Sequence, residues 1–133
     1  NYKYDVDGSC MIVVMTDAPL DSRNLERLAK RAMMGLARTG GIASNGSGDY
    51  VIAVSTAKNN QIPYQSKSLI LETNELKNNA VTPLFLAVIE ATEEAIINSL
   101  FAATTMTGVK NHKRKSIPIN EIMSIMKKHN AVK

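Results

Sequence analysis

Two short runs constrain this chain more than anything else in it. Ser9 to Met15 (Ser-Cys-Met-Ile-Val-Val-Met) and Tyr50 to Ser55 (Tyr-Val-Ile-Ala-Val-Ser) are β-rich, and their apolar residues are consecutive rather than alternate. A strand that shows one face to water alternates apolar and polar residues, so both runs read as strands buried on both faces. The chain offers few strands besides these two. A sheet built on them needs more strands from elsewhere, and the chain is expected to be part of a larger assembly.

The segments around the strands read as helices and loops. Thr16 to Leu20 is a loop, and Asp21 or Ser22 can cap the helix that follows. Leu25, Leu28, Ala29, Ala32, Met33 and Leu36 fall on one face of that helix, with Arg23, Glu26, Arg27, Lys30 and Arg31 on the wet face. Thr39-Gly40-Gly41 ends it, glycine supplying a left-handed cap. Asn59 to Ser66 is a Pro-containing loop, Ser68 to Glu72 a short third strand, and Asn74 to Asn79 either a loop or a helical turn. Thr82-Pro83 opens a long helix, Pro being suited to the first helical position. Its apolar stripe is expected at Leu84, Val88, Ala91, Ala95, Ile96, Ser99, Leu100 and Ala103. Thr104 to Gly108 closes it, and Pro118 and Asn120 start a last short helix carrying Ile122, Met123, Ile125 and Met126. There is no internal repeat, low-complexity tract or second domain. The fold class is α/β, with helices over one face of a sheet.

Composition excludes several kinds of function. With 133 residues, 44% of them apolar, the chain suits one globular domain with a real core. No apolar run approaches the roughly 20 residues of a membrane span. Asn1 to Gly8 is polar and acidic, unlike a secretory leader. A single cysteine, Cys10, rules out an internal disulfide and fits a reducing, cytoplasmic setting. Cys10 itself reads as a small apolar strand residue. No Cys/His cluster has metal-ligand spacing, so neither a metal nor another cofactor is expected. The net charge of +4 is mild. Its one dense source, Lys110 to Lys115, has no stacking aromatic beside it and reads as a solvated loop rather than a nucleic-acid site.

Gly8-Ser9 stands immediately before the first strand. A small residue followed by a hydroxyl residue is an ordinary turn, and it is also what a self-cleavage site requires. Cutting the Gly8–Ser9 bond would give Ser9 a free α-amine beside its hydroxyl. A serine hydroxyl is a weak nucleophile until a base takes its proton, and an N-terminal amine, with a reference pKa of about 7.7–8, can be that base. Ser44-Asn45-Gly46-Ser47-Gly48-Asp49 packs six small or polar residues between a helix and a strand. It lacks the Lys and following helix of a P-loop. By itself it reads as a tight loop.

Taken together and in order, these segments resemble the self-processing serine aminopeptidases typified by the L-aminopeptidase/D-esterase family, which includes the β-peptidyl aminopeptidases. The match is carried by Asp7-Gly8-Ser9 with Met11 to Leu20, by Arg31 to Gly40 followed by Ala43 to Asp49, by Glu90 to Ala95, and by Met106-Thr107-Gly108. It covers nearly the whole chain from Gly8 onward. The resemblance implies a four-layer αββα sandwich of the N-terminal-nucleophile type, shared with the ornithine acetyltransferases. It implies a precursor that cuts itself before Ser9 and stays together as a heterodimer, which oligomerises further. This chain would be the C-terminal, smaller subunit from Ser9 onward, preceded by the eight residues Asn1 to Gly8. The large N-terminal subunit would be its partner, and the missing initiator Met agrees with that.

The same resemblance assigns Ser9 as nucleophile, Ser47 as the serine that orients it, and Asp49 as an acid beside the Ser9 amine. Relatives often carry Glu there, so the side chain of Asp49 is one methylene shorter. Asn45, Gly46 and Gly48 would shape the site. The implied activity is release of N-terminal residues from short peptides, amides or esters. Two alternatives stand beside it: acyl transfer of the ornithine acetyltransferase type, which uses Thr where this chain has Ser9, and a non-catalytic subunit of the same fold.

Overall fold

The computed structural model describes residues 8–132, so the segment 1–7 assigned above to the region before the cut lies outside the described residues. The chain divides into two compact units, Asn1–Glu93 and Glu94–Lys133.

The first unit is built on a β-α-β arrangement: β1 (Met11–Thr16), α1 (Ser22–Arg38) and β2 (Tyr50–Ser55). The strands pair in parallel, with Met11 opposite Tyr50 and Thr16 opposite Ser55. Helix α1 starts where Asp21 accepts the Asn24 N–H at 2.7 Å, which satisfies one of the amides left over in a first turn. It ends in a Schellman motif. The Gly41 N–H reaches the Leu36 carbonyl, and the Gly40 N–H reaches that of Ala37. Gly40 takes φ +95 to allow this. The start of α2 (Thr82–Ala102) packs against α1, and Leu20, Leu28, Ala32, Val81, Phe85, Val88 and Ile89 form the core.

Both strands depart from the expectation of full burial. Ile12, Val14 and Val51 pack against the core, while Met11, Val13, Met15, Tyr50 and Ile52 are each more than half exposed. The consecutive apolar residues therefore supply two different faces, of which the described residues cover one.

Three further expectations change. Ser68 to Glu72 forms no strand: Leu69 and Ile70 are exposed, and no described strand pairs with them. In α2 the buried residues are Phe85, Val88, Ile89 and Thr92, so of the expected stripe Val88 is buried and Leu84 half-buried, whereas Ala91 and Ala95 are exposed. Apolar residues surround this helix, so periodicity had no polar face to exclude. Arg27 and Arg31 are not simply solvated. Both guanidinium groups lie over the Phe85 ring, 4.9 and 3.5 Å from its centroid, within the range of a cation–π contact. Arg27 also donates to Asn24 and Asn78.

The second unit holds the end of α2, a small antiparallel hairpin of β3 (Met106–Thr107) and β4 (Lys113–Arg114), and α3 (Ile119–Lys128). The basic run expected as a loop thus contributes two residues to a hairpin. Gly108 donates to the His112 carbonyl at 2.8 Å to close it. No helix among the described residues is long and apolar enough to cross a membrane.

Candidate active site

Parallel pairing brings the two informative segments together. With Met11 opposite Tyr50, continuing the register back along both segments sets Cys10 beside Asp49 and Ser9 beside Gly48. The Tyr50 N–H donates to the Cys10 carbonyl at 3.0 Å, extending the ladder past the last paired residues. Residues about forty apart in sequence thereby meet at the N-terminal ends of two strands.

Ser9 is exposed, and its Oγ accepts the Gly48 N–H at 3.0 Å. That bond occupies a lone pair and leaves the hydroxyl proton free for a base. Asp49 uses both carboxylate oxygens. Oδ1 accepts the Cys10 N–H at 2.7 Å, and Oδ2 accepts the Ser47 hydroxyl at 2.5 Å. The acid therefore grips the amide immediately after Ser9, and its shorter side chain reaches both partners. Because the single Ser47 proton goes to Asp49, its oxygen is left as an acceptor, enriched by the charge it leans on.

Asn45 and Gly46 sit at the exposed tip of a turn, which the Ser47 N–H closes onto the Ser44 carbonyl at 2.8 Å. A Cβ at Gly48 would lie 3.4 Å from Ser9 Oγ and 3.5 Å from the Tyr50 hydroxyl, at ordinary contact distance. At Gly8 a Cβ would meet nothing within 4 Å.

A cleft of about 220 Å³ is lined by Gly8, Ser9, Ser47 and Asp49 together with Leu36, Gly40 and Ala43. Ala43 holds φ +47, a left-handed conformation that costs a residue with a Cβ about 1–2 kcal/mol. No single-residue motif announces Ala43, and its backbone conformation was not legible in the sequence. Among the described residues, no group of three His, Cys, Asp or Glu side chains is placed to hold a metal ion.

The chain is similar in sequence and fold to known proteins. Peptidase family S58 matches residues 1–114. Two beta-peptidyl aminopeptidases are similar: that of Sphingosinicella microcystinivorans is 44% identical over 123 residues, and that of Sphingosinicella xenopeptidilytica 42% over 121. These alignments take in 92% and 90% of this chain but 31% and 30% of those proteins. Among solved structures, a Pyrococcus horikoshii protein superposes with TM-score 0.77 at 49% identity, over 89% of this chain and 33% of that one. The L-aminopeptidase D-Ala-esterase/amidase of Ochrobactrum anthropi, described as a prototype for the serine aminopeptidases and a variant of the Ntn hydrolase fold, gives 0.76 at 31%, with the same coverage. The chain thus spans about a third of the length of the relatives it matches, and its α/β fold is of the Ntn-hydrolase type.

Proposed function

The chain belongs to peptidase family S58, and from that premise we propose that it is the nucleophile-bearing part of a self-processing serine aminopeptidase. The observation that carries the reading is the meeting of Ser9, Ser47 and Asp49 at one cleft through the register of β1 and β2. The name of the Sphingosinicella relatives, beta-peptidyl aminopeptidase, extends the substrate class to peptides that begin with a β-amino acid.

In maturation, Ser9 Oγ attacks the Gly8 carbonyl. The acyl group moves from nitrogen to oxygen, which breaks the amide and frees the Ser9 amine, and water then hydrolyses the ester, releasing Gly8 as a carboxylate and restoring the Ser9 hydroxyl. In turnover, Ser9 Oγ attacks the carbonyl of the first residue of a short peptide, amide or ester. The Ser9 amine takes the hydroxyl proton and returns it to the leaving amine. Water then releases the acyl group. Gly48 N–H fixes the Ser9 oxygen by the bond already described. Asp49 holds the Cys10 amide and, through Ser47, presents an electron-rich oxygen that can accept from the Ser9 ammonium once it forms.

The uncovered sheet face supports a partner. Met11, Val13, Met15, Ile52 and Val54 form an apolar surface beside the site, which a folded chain does not leave in water without a use. The large N-terminal segment of the same precursor is the occupant, and it supplies the rest of the site. Assembly of such heterodimers into a larger oligomer, and a cytoplasmic location in keeping with the single Cys10, complete the proposal.

Hydrolysis of an aminoacyl anilide by the full-length protein and by its Ser9→Ala variant tests the reading. Turnover by the first and none by the second is expected. Comparable turnover by both removes Ser9 as nucleophile.

A further inference from the structure

Tyr50 is the first residue of β2, and its ring lies on the uncovered sheet face, 62% exposed. Ser9 Oγ and the Tyr50 hydroxyl stand at 3.4 and 3.5 Å from the single point a Gly48 Cβ would occupy. The two oxygens are therefore at most about 7 Å apart, across a position that glycine leaves open. Ser9 Oγ has its contact with Gly48 N–H, whereas the Tyr50 hydroxyl has no hydrogen-bond partner among the described residues.

The surroundings make that hydroxyl unusual. Met11 and Ile52, its neighbours on the face, are apolar, and covering this face takes water away from all of them. A phenol taken from water finds a hydrogen-bond partner. A peptide whose first carbonyl is bonded to Ser9 Oγ carries its backbone amide groups one to four bonds further on, within the reach of an oxygen no more than about 7 Å away.

Resting on the reading of Ser9 as nucleophile, we propose that Tyr50 is a substrate-binding residue of this site. Its hydroxyl hydrogen-bonds the backbone of the peptide held at Ser9, and its ring walls the approach to the nucleophile. Glycine at position 48 keeps a side chain out of the space between the two oxygens, which leaves the peptide's approach clear. Tyr50 takes no part in proton transfer, so its contribution falls on binding rather than on the chemical step.

Steady-state kinetics of the processed protein with a tripeptide test this, with Tyr50→Phe, Tyr50→Ile and Ser9→Ala measured in parallel and the thermal midpoint recorded for each. Losing one neutral hydrogen bond made equally in ground and transition states raises KM about 2- to 12-fold with kcat unchanged. Tyr50→Phe should show that, at an unchanged midpoint, and Tyr50→Ile should raise KM further because the wall is lost as well. A Tyr50→Phe enzyme with the parent KM overturns the proposal. So does one whose midpoint falls while KM holds, since the hydroxyl would then be bonded to the covering segment. If Ser9→Ala hydrolyses the peptide, the nucleophile reading fails and takes this proposal with it. An inactive Ser9→Ala beside a Tyr50→Phe of unchanged KM removes Tyr50 alone.

Discussion

Asp49 Oδ1 accepts the backbone N–H of Cys10 at 2.7 Å, so the acid of the small-residue loop is fastened to the amide one residue beyond Ser9. Its other oxygen takes the Ser47 proton. One side chain thereby ties the loop to the segment that carries Ser9, the proposed nucleophile.

Asp49→Asn keeps a carbonyl oxygen for Cys10 but turns an NH₂ toward Ser47, which can no longer donate there. Charge-assisted hydrogen bonds contribute about 1.5–3 kcal/mol, so kcat should drop roughly 10- to 100-fold while the fold persists. Asp49→Ala removes both bonds and leaves the part-buried Cys10 N–H unpaired, which adds about 1–3 kcal/mol of destabilisation. Anilide turnover and urea titration of the two variants check this.

Helices α1 and α2 cross at Gly35. A Cβ there would lie 2.6 Å from the Ile89 carbonyl oxygen and 2.7 Å from Thr92 Cβ. Neither atom can swing away, since Ile89 contributes backbone and the Thr92 hydroxyl is bonded to the Val88 carbonyl. Gly35→Ala should therefore cost about 1–3 kcal/mol, the range for overpacking a filled core, and lower the urea midpoint.

A Cβ at Gly40 would meet nothing within 4 Å, but Gly40 has φ +95. Gly40→Ala should destabilise by about 1–2 kcal/mol through backbone strain. Because no contact is added, denaturant titration of this variant reads the conformational cost by itself.

A Ser9 amine that acts as base must be neutral. An N-terminal amine titrates at about 7.7–8, and its protonated form cannot accept the hydroxyl proton. The value of kcat/KM should rise with pH and level off above about pH 8. A profile flat from about pH 6 to 9 points to another base.

How much of this was legible in the sequence depends on the range of the interaction. β1, β2 and α1 were, because period and caps are local: Asp21 and Gly40-Gly41 lie within a turn of the helix ends they fix. The buried face of α2 was not, because apolar residues ring the helix and only its neighbours choose among them. The placement of Arg27 and Arg31 over Phe85 is set by a residue more than fifty positions away. Gly35 reads as an ordinary helix glycine until α2 is laid across it. Ser9 and the Ser47–Asp49 loop were each legible as small-residue segments, and the family resemblance joined them. The physical link, the register that sets Cys10 beside Asp49, is a tertiary fact.

The central claim is that Ser9 is both the site of the cut and the nucleophile that makes it. Intact-mass measurement of the full-length protein, with N-terminal sequencing of the smaller piece, tests it most directly. The parent protein should yield a fragment beginning at Ser9, and Ser9→Ala should remain a single uncut chain. A Ser9→Ala protein that splits between residues 8 and 9, or a fully active parent with no cut there, would contradict it.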